Sequence, residues 1–236
     1  MKNDAVSHGT FLKLPKLATP KTTFVSVNPT DPDAPLVLSY LGMRKAVGII
    51  GVALPFALAL GNMIRLERYD IEGSISYYYY TDMRNVFVGS LCAIAVFLMS
   101  TRGYDRRDAI AGRLACIFAI GVAFFRTSPA EQVDLIGAVH LTFAGLFFLT
   151  LAYFCLRLFT ETAPSEKPTP QKRKRNTVYR ICGYTILASI ATLGILRLAA
   201  PNFLEGPFKP VFVFESTAVI AFGLAWLVKG ETILKD

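Results

Sequence analysis

The chain has 236 residues, of which 53% are hydrophobic and 18% charged; its mean hydropathy is +0.44 and its formal charge +8. Soluble domains carry about 25% charged residues, so a chain this apolar cannot cover its own surface in water. A soluble enzyme, a disordered tail protein and a fibrous repeat are excluded, and an all-α polytopic membrane protein is implied. The excess of base does not point to nucleic acid, because the basic residues flank apolar runs and orient them.

In chain order, residues 1–43 read as a loose cytoplasmic arm. Lys2, Lys13, Lys16 and Lys21 are spread along it without the apolar core of a signal peptide, and Pro15, Pro20, Pro29, Pro32 and Pro35 interrupt it. Residues 44–236 form the membrane domain, with six predicted transmembrane helices at about Ala46–Met63, Asn85–Ser100, Ala109–Phe125, Leu135–Phe159, Val178–Ala200 and Pro210–Val228. The second is short by strict count, and Tyr80–Met83 extends it outward. Within the first, Pro55 is expected to kink the helix. The 160–177 connector is a basic linker in which Pro164, Pro168 and Pro170 precede Lys172, Arg173, Lys174 and Arg175. A basic run beside a span attracts anionic lipid.

Eighteen of the 25 Lys and Arg residues fall on one side of these spans and six on the other, with Arg113 inside the third span. That asymmetry places both termini in the cytoplasm. Small residues four apart mark close helix packing in lipid: Ala53, Ala57 and Gly61 in the first span, and Ala111, Ala115, Ala119 and Ala123 in the third. Cys92, Cys116, Cys155 and Cys182 all lie in apolar stretches without CxxC spacing, and read as packing residues.

Charge inside a bilayer is costly, so ionisable residues near the spans are the candidate site. Arg126, His140, Arg197 and Glu215 lie toward the outer side. The outer connector adds Ser74, Ser76, Tyr77–Tyr80, Asp82, Arg84 and Asn85. Together they suggest an outward-facing polar cavity that binds lipid or a partner membrane protein, with Arg84, Asn85, Arg126, His140, Arg197 and Glu215 as ligand-binding residues. Guanidinium forks suit phosphate. A second reading is a lipid hydrolase with Ser76 as nucleophile, His140 as base and Asp82 or Glu215 as orienter, although no G-x-S-x-G elbow is present. A third is a transporter or channel along Glu215 and Arg197, against which the apolar inner half of the spans argues. Plainer roles stand beside these: an Arg197–Glu215 ion pair, an interhelical hydrogen bond for His140, and an aromatic belt for Tyr77–Tyr80. A single imidazole near the spans gives no metal site, and no cofactor is expected. Membrane lipid, a protein partner and a second copy of the chain are the candidate partners.

The stretch Ser74-Ile-Ser-Tyr-Tyr-Tyr-Tyr-Thr-Asp-Met-Arg-Asn-Val-Phe-Val-Gly89, followed by Arg102-Gly-Tyr-Asp-Arg-Arg-Asp108, resembles a group of uncharacterised bacterial multi-pass membrane proteins, a domain of unknown function. Its members carry a Ser/Tyr-rich outer loop and an Arg-Gly-Tyr-Asp turn at the cytoplasmic end of the next span. The resemblance implies a bacterial cytoplasmic membrane location and the same topology, and no catalytic residue.

Overall fold

The structure is a computed structural model that describes residues 34–67, 70–100, 106–128, 134–162 and 168–234. The Arg102–Asp105 turn and most of the amino-terminal arm lie outside them. The described residues are helical, without strands: α1 (Ala34–Leu66), a 3-10 turn at Ser76–Tyr80, α2 (Arg84–Ser100), α3 (Arg106–Phe124), α4 (Leu135–Tyr153), which continues as a π turn at Phe154–Leu158, α5 (Pro170–Ala199), a short α6 (Pro201–Leu204) and α7 (Pro210–Lys229).

Four helical stretches are long and apolar enough to cross a membrane: Tyr40–Arg65, Leu135–Leu158, Pro170–Ala199 and Pro210–Lys229. The two others expected to span fall short on those grounds. Seventeen residues make α2 about 25 Å long at 1.5 Å per residue, against a hydrocarbon core of about 30 Å. In α3, Arg106, Arg107 and Asp108 occupy the first turn and Arg113 follows.

All six long helices nevertheless pack as one closed ring. Each touches its sequence neighbours, α5 packs on α7, and α7 returns to α1. Neighbours run antiparallel, so the ring has two ends. One carries the 70–83 loop; the other carries Arg44, Lys172, Arg175 and Lys229.

Local chemistry explains where the helices begin. Thr169 caps α5, its hydroxyl accepting the Lys172 N–H at 3.1 Å, and Pro170 sits in the first turn, where its missing N–H costs nothing. Nearly half of the predicted basic linker, residues 170–177, is therefore helix. Likewise α1 starts at Ala34, inside the stretch read as arm, and runs unbroken through Pro55 to Leu66.

The small-residue ridge of α3 is buried as expected: Ala111, Ala115, Ala119 and Ala123 are all in the core. In α1 only Gly61 of the expected ridge is closely packed, against Met83, and the face turned to α7 is a different one. Ala53 and Ala57 are exposed, and Gly48 and Gly51 meet α7 instead. A Cβ at Gly48 would lie 2.9 Å from the Gly223 carbonyl oxygen, and one at Gly223 would lie 2.7 Å from the Val52 nitrogen. Backbone meets backbone at this crossing, which glycine alone permits.

Gly223→Ala is expected to push α1 and α7 apart and to destabilise the protein by about 1–3 kcal/mol, the usual cost of overpacking. Gly145→Ala, which adds its methyl to open space, should leave the detergent melting temperature unchanged. Equal melting of the two variants would refute the crossing.

Candidate functional site

The connector between α1 and α2 folds back into the mouth of the ring rather than lying on its surface. Ile75, Ser76 and Tyr78 are buried, Tyr78 completely. Non-helical backbone at such depth must find partners within the protein, and α7 supplies them. The Glu215 carboxylate accepts the Ile75 N–H at 2.7 Å, and the Phe212 N–H donates to the Gly73 carbonyl at 3.0 Å. The Tyr78 ring packs against Phe212. The aromatic belt expected of Tyr77–Tyr80 thus fails at Tyr78, a core residue whose phenol burial pushes its pKa up. The expected Arg197–Glu215 ion pair is also absent among the described residues; the Glu215 carboxylate holds a loop amide instead.

Beside this loop lies a cavity of about 520 Å³. Its wall is assembled from Ser74 and Ser76 of the loop, Thr127 and Ser128 after α3, His140 and Ala144 of α4, Arg197 of α5, Glu205 after α6, and Lys209 and Glu215 at α7. Beneath Ser76, Ala144 and Glu215 it narrows to an apolar crevice of about 30 Å³ among Leu54, Phe87, Leu91, Val122, Phe147 and Val219. That is room for a water or two.

The outer end of α5 is less buried than the rest of the helix. Its buried residues run from Arg175 to Ser189 and stop there; farther along, Ile195 and Leu198 are 64% and 89% exposed. Thr192, Leu193 and Leu196 are half-buried there, and Arg197 of the same stretch lines the cavity.

Four predicted residues meet in the cavity: Ser76, His140, Arg197 and Glu215. The His140 Nδ1–H donates to the Phe125 carbonyl at 2.6 Å, fixing the buried ring against the end of α3. Arg197, Glu205 and Lys209 make no side-chain hydrogen bond or ion pair with the described residues. Two cations and two carboxylates therefore line one space, and only Glu215 is engaged. Sequence reasoning missed Glu205 and left Lys209 as a mere topological base. Pro201 and Pro210, each opening a helix, were the available signal that a structured turn carries both.

The other predicted residues lie elsewhere. Asp82 pairs with Arg65 at 3.1 Å on the surface, so it does not orient His140. Arg84 donates to the Tyr79 hydroxyl at 2.5 Å and stacks over that ring, and Asn85 beside it is exposed. Arg126 bonds the Asp134 carboxylate at 2.6 Å and the Tyr80 hydroxyl at 3.2 Å. Asp134 in turn caps α4 through the Gly137 N–H at 2.8 Å and accepts the Ser128 hydroxyl. This network ties the α3–α4 connection to the 3-10 turn. No group of three or more His, Cys, Asp or Glu side chains among the described residues could hold a metal ion.

No family model, curated protein or solved structure matches this chain. Functional interpretation therefore rests on the geometry of its own residues.

Two outcomes follow from these contacts. In Glu215→Ala the Ile75 amide loses its acceptor, and hydrogen exchange over residues 73–80 should accelerate while α3 is unchanged; continued protection would mean that Phe212 and Tyr78 alone hold the loop. The Gly137 N–H, with Ser128 and Arg126, holds the Asp134 carboxyl below its usual range. A depressed folded-state pKa gives stability that is present above the unfolded value near 3.9 and lost as pH falls through the folded one. Melting curves should show wild type above Asp134→Asn by a constant margin from pH 5 upward, shrinking below about pH 4. A margin that grows on acidification would refute the assignment.

Proposed function

We propose that this chain is a six-span protein of the cell membrane, a bacterial cytoplasmic membrane as the resemblance implies, with both termini inside. The cavity at its outer end binds the headgroup of an amphiphile bearing both an anionic and a cationic group. The topology is supported by α2 and α3, which sit in the same antiparallel ring as the four longer helices. Further support is the gathering of basic side chains at one end. The polar leading turn of α3 then lies at the cytoplasmic surface, and Arg113 extends toward it.

One observation carries the ligand class. The cavity wall holds Arg197, Lys209 and Glu205, all uncommitted, Glu205 and Lys209 on one turn. A purely anionic headgroup would leave the carboxylate unanswered; a phosphate with a tethered ammonium answers all three. The crevice below is too small to take acyl chains, so they pass outward beside the end of α5, where Ile195 and Leu198 are exposed. A binding role without chemistry suits an accessory subunit, and a partner membrane protein is the other occupant the cavity admits.

Mass spectrometry of lipid retained through purification is the test. A zwitterionic phospholipid such as phosphatidylethanolamine should be enriched over its share of the bulk membrane, and Arg197→Ala with Lys209→Ala should lower that enrichment several-fold. Retained lipid that mirrors the bulk membrane in both forms would end the proposal. A hydrolase remains the second reading, because Ser76 and His140 line the same cavity. Fluorophosphonate labelling of Ser76 that disappears in His140→Ala would replace binding by hydrolysis; an unlabelled chain supports binding.

A further inference from the structure

The turn between α5 and α7, residues 200–209, divides its side chains into two sets. Leu204, Glu205 and Lys209 line the cavity. Phe203 and Phe208 do not, and they are 53% and 82% exposed. The turn is tied internally: the Ala200 carbonyl accepts the Phe203 N–H at 3.0 Å, the Phe203 carbonyl accepts the Gly206 N–H at 3.1 Å, and the Gly206 carbonyl accepts the Lys209 N–H at 3.0 Å. Its charges are thereby kept at the cavity and its aromatic rings in the open.

Water is costly surroundings for two such rings. They also continue a surface that already faces lipid. On α5, Ile181, Tyr184, Ala188, Ala191, Ile195 and Leu198 are exposed and recur every three or four residues, which is one face of a helix. That face runs off the end of α5 into the turn. Helix lengths set the level at which the turn lies. Arg180 is the last exposed base before the apolar face begins, and from Arg180 to Arg197 α5 rises about 25 Å at 1.5 Å per residue. On the other side of the turn, the 20 residues of α7 rise about 30 Å at the same pitch. The hydrocarbon core is itself about 30 Å thick. Neither helix is long enough to lift the turn clear of the membrane, so the turn lies where hydrocarbon gives way to headgroups.

We propose that this turn is an anchor seated in the lipid surface at the loop end of the ring, with Phe203 and Phe208 entering the leaflet while Glu205 and Lys209 stay at the cavity. Amphipathic elements at a membrane surface settle about 5–10 Å into the boundary between headgroups and acyl chains. The cavity then opens at headgroup level, and a lipid reaches it from within the leaflet rather than from water. The anchor rests on the membrane placement of α4, α5 and α7 and not on the identity of the cavity's ligand.

Depth-resolved quenching tests it. Trp226 is the chain's single tryptophan. Trp226→Phe combined with Phe208→Trp moves the probe to the turn; combined with Leu146→Trp it moves the probe to an exposed position midway along the Leu135–Leu158 span. The full chain is held in phosphatidylcholine nanodiscs whose lipid is brominated either near the headgroup or near the ends of its acyl chains. Emission from the Phe208→Trp chain should fall by about half with shallow bromine and about twofold less with deep bromine, and the Leu146→Trp chain should show the reverse order. Acrylamide in the water should quench neither strongly. A second measurement leaves Trp226 in place: benzoylphenylalanine at position 208 should photo-crosslink to lipid, read as a lipid mass increment on the chain. Strong acrylamide quenching of Phe208→Trp without bromine quenching would overturn the proposal, because the turn would be in water. Protection from both quenchers, or a crosslink to protein alone, would overturn it as well, because a second copy or a partner protein would cover the rings. If bromine leaves Leu146→Trp untouched too, the membrane placement itself fails and the anchor with it.

Discussion

A carboxylate on the last helix takes a backbone amide from the loop between the first two, and the loop end of the molecule is organised around that bond. Glu215 and Ile75 are 140 residues apart in the chain. Without an acceptor at that depth the 73–78 backbone would have to remain in water. The ring would then be open at its mouth. With it, Ile75 and Tyr78 become core, Ser76 becomes a cavity wall, and the same carboxylate contributes one of the four charges lining the polar space. One residue thus serves both the fold and the site.

The two ends of the ring handle charge in opposite ways. At the loop end charges are matched: Arg65 with Asp82, Arg126 with Asp134, and two cations with two carboxylates lining the cavity. At the basic end Arg44 and Lys229 lie over aromatic rings, and Arg44 and Lys172 reach helix-end carbonyls. The π turn at Phe154–Leu158 belongs to this second arrangement. Its wider winding carries Phe159 into contact with both Tyr179 and Trp226, and π turns of this kind are frequent at functional positions.

Hydropathy and period-four small residues were enough to locate all six long helices and to orient α3, because both signals are local. The face of α1 was not legible in the same way. That helix has small residues on two sides, Gly48 and Gly51 on one and Ala53 and Ala57 on the other, and only the presence of Gly223 on α7 decides which is used. The tyrosine run was read as a belt because aromatic residues favour the membrane interface; its burial depends on a carboxylate far along the chain. Arg126 was visible as a costly charge, but eight residues of separation across a connection do not reveal that Asp134 satisfies it. Of the candidate site, the residues projecting from helices (His140, Arg197, Glu215) were found from sequence, whereas Glu205 sits on a turn without periodicity to place it.

The ring closes between α7 and α1, the described long helices farthest apart in the chain. The other helix pairs of the ring follow one another in the chain, with only the short α6 between α5 and α7, so five helices can pair before α7 is made. Until α7 arrives, the glycine face of α1 stays without its mate and the 73–78 loop without its acceptor. A chain truncated before Pro210 would lack both at once. Closing the ring and seating the loop are thus one event, and both wait on α7.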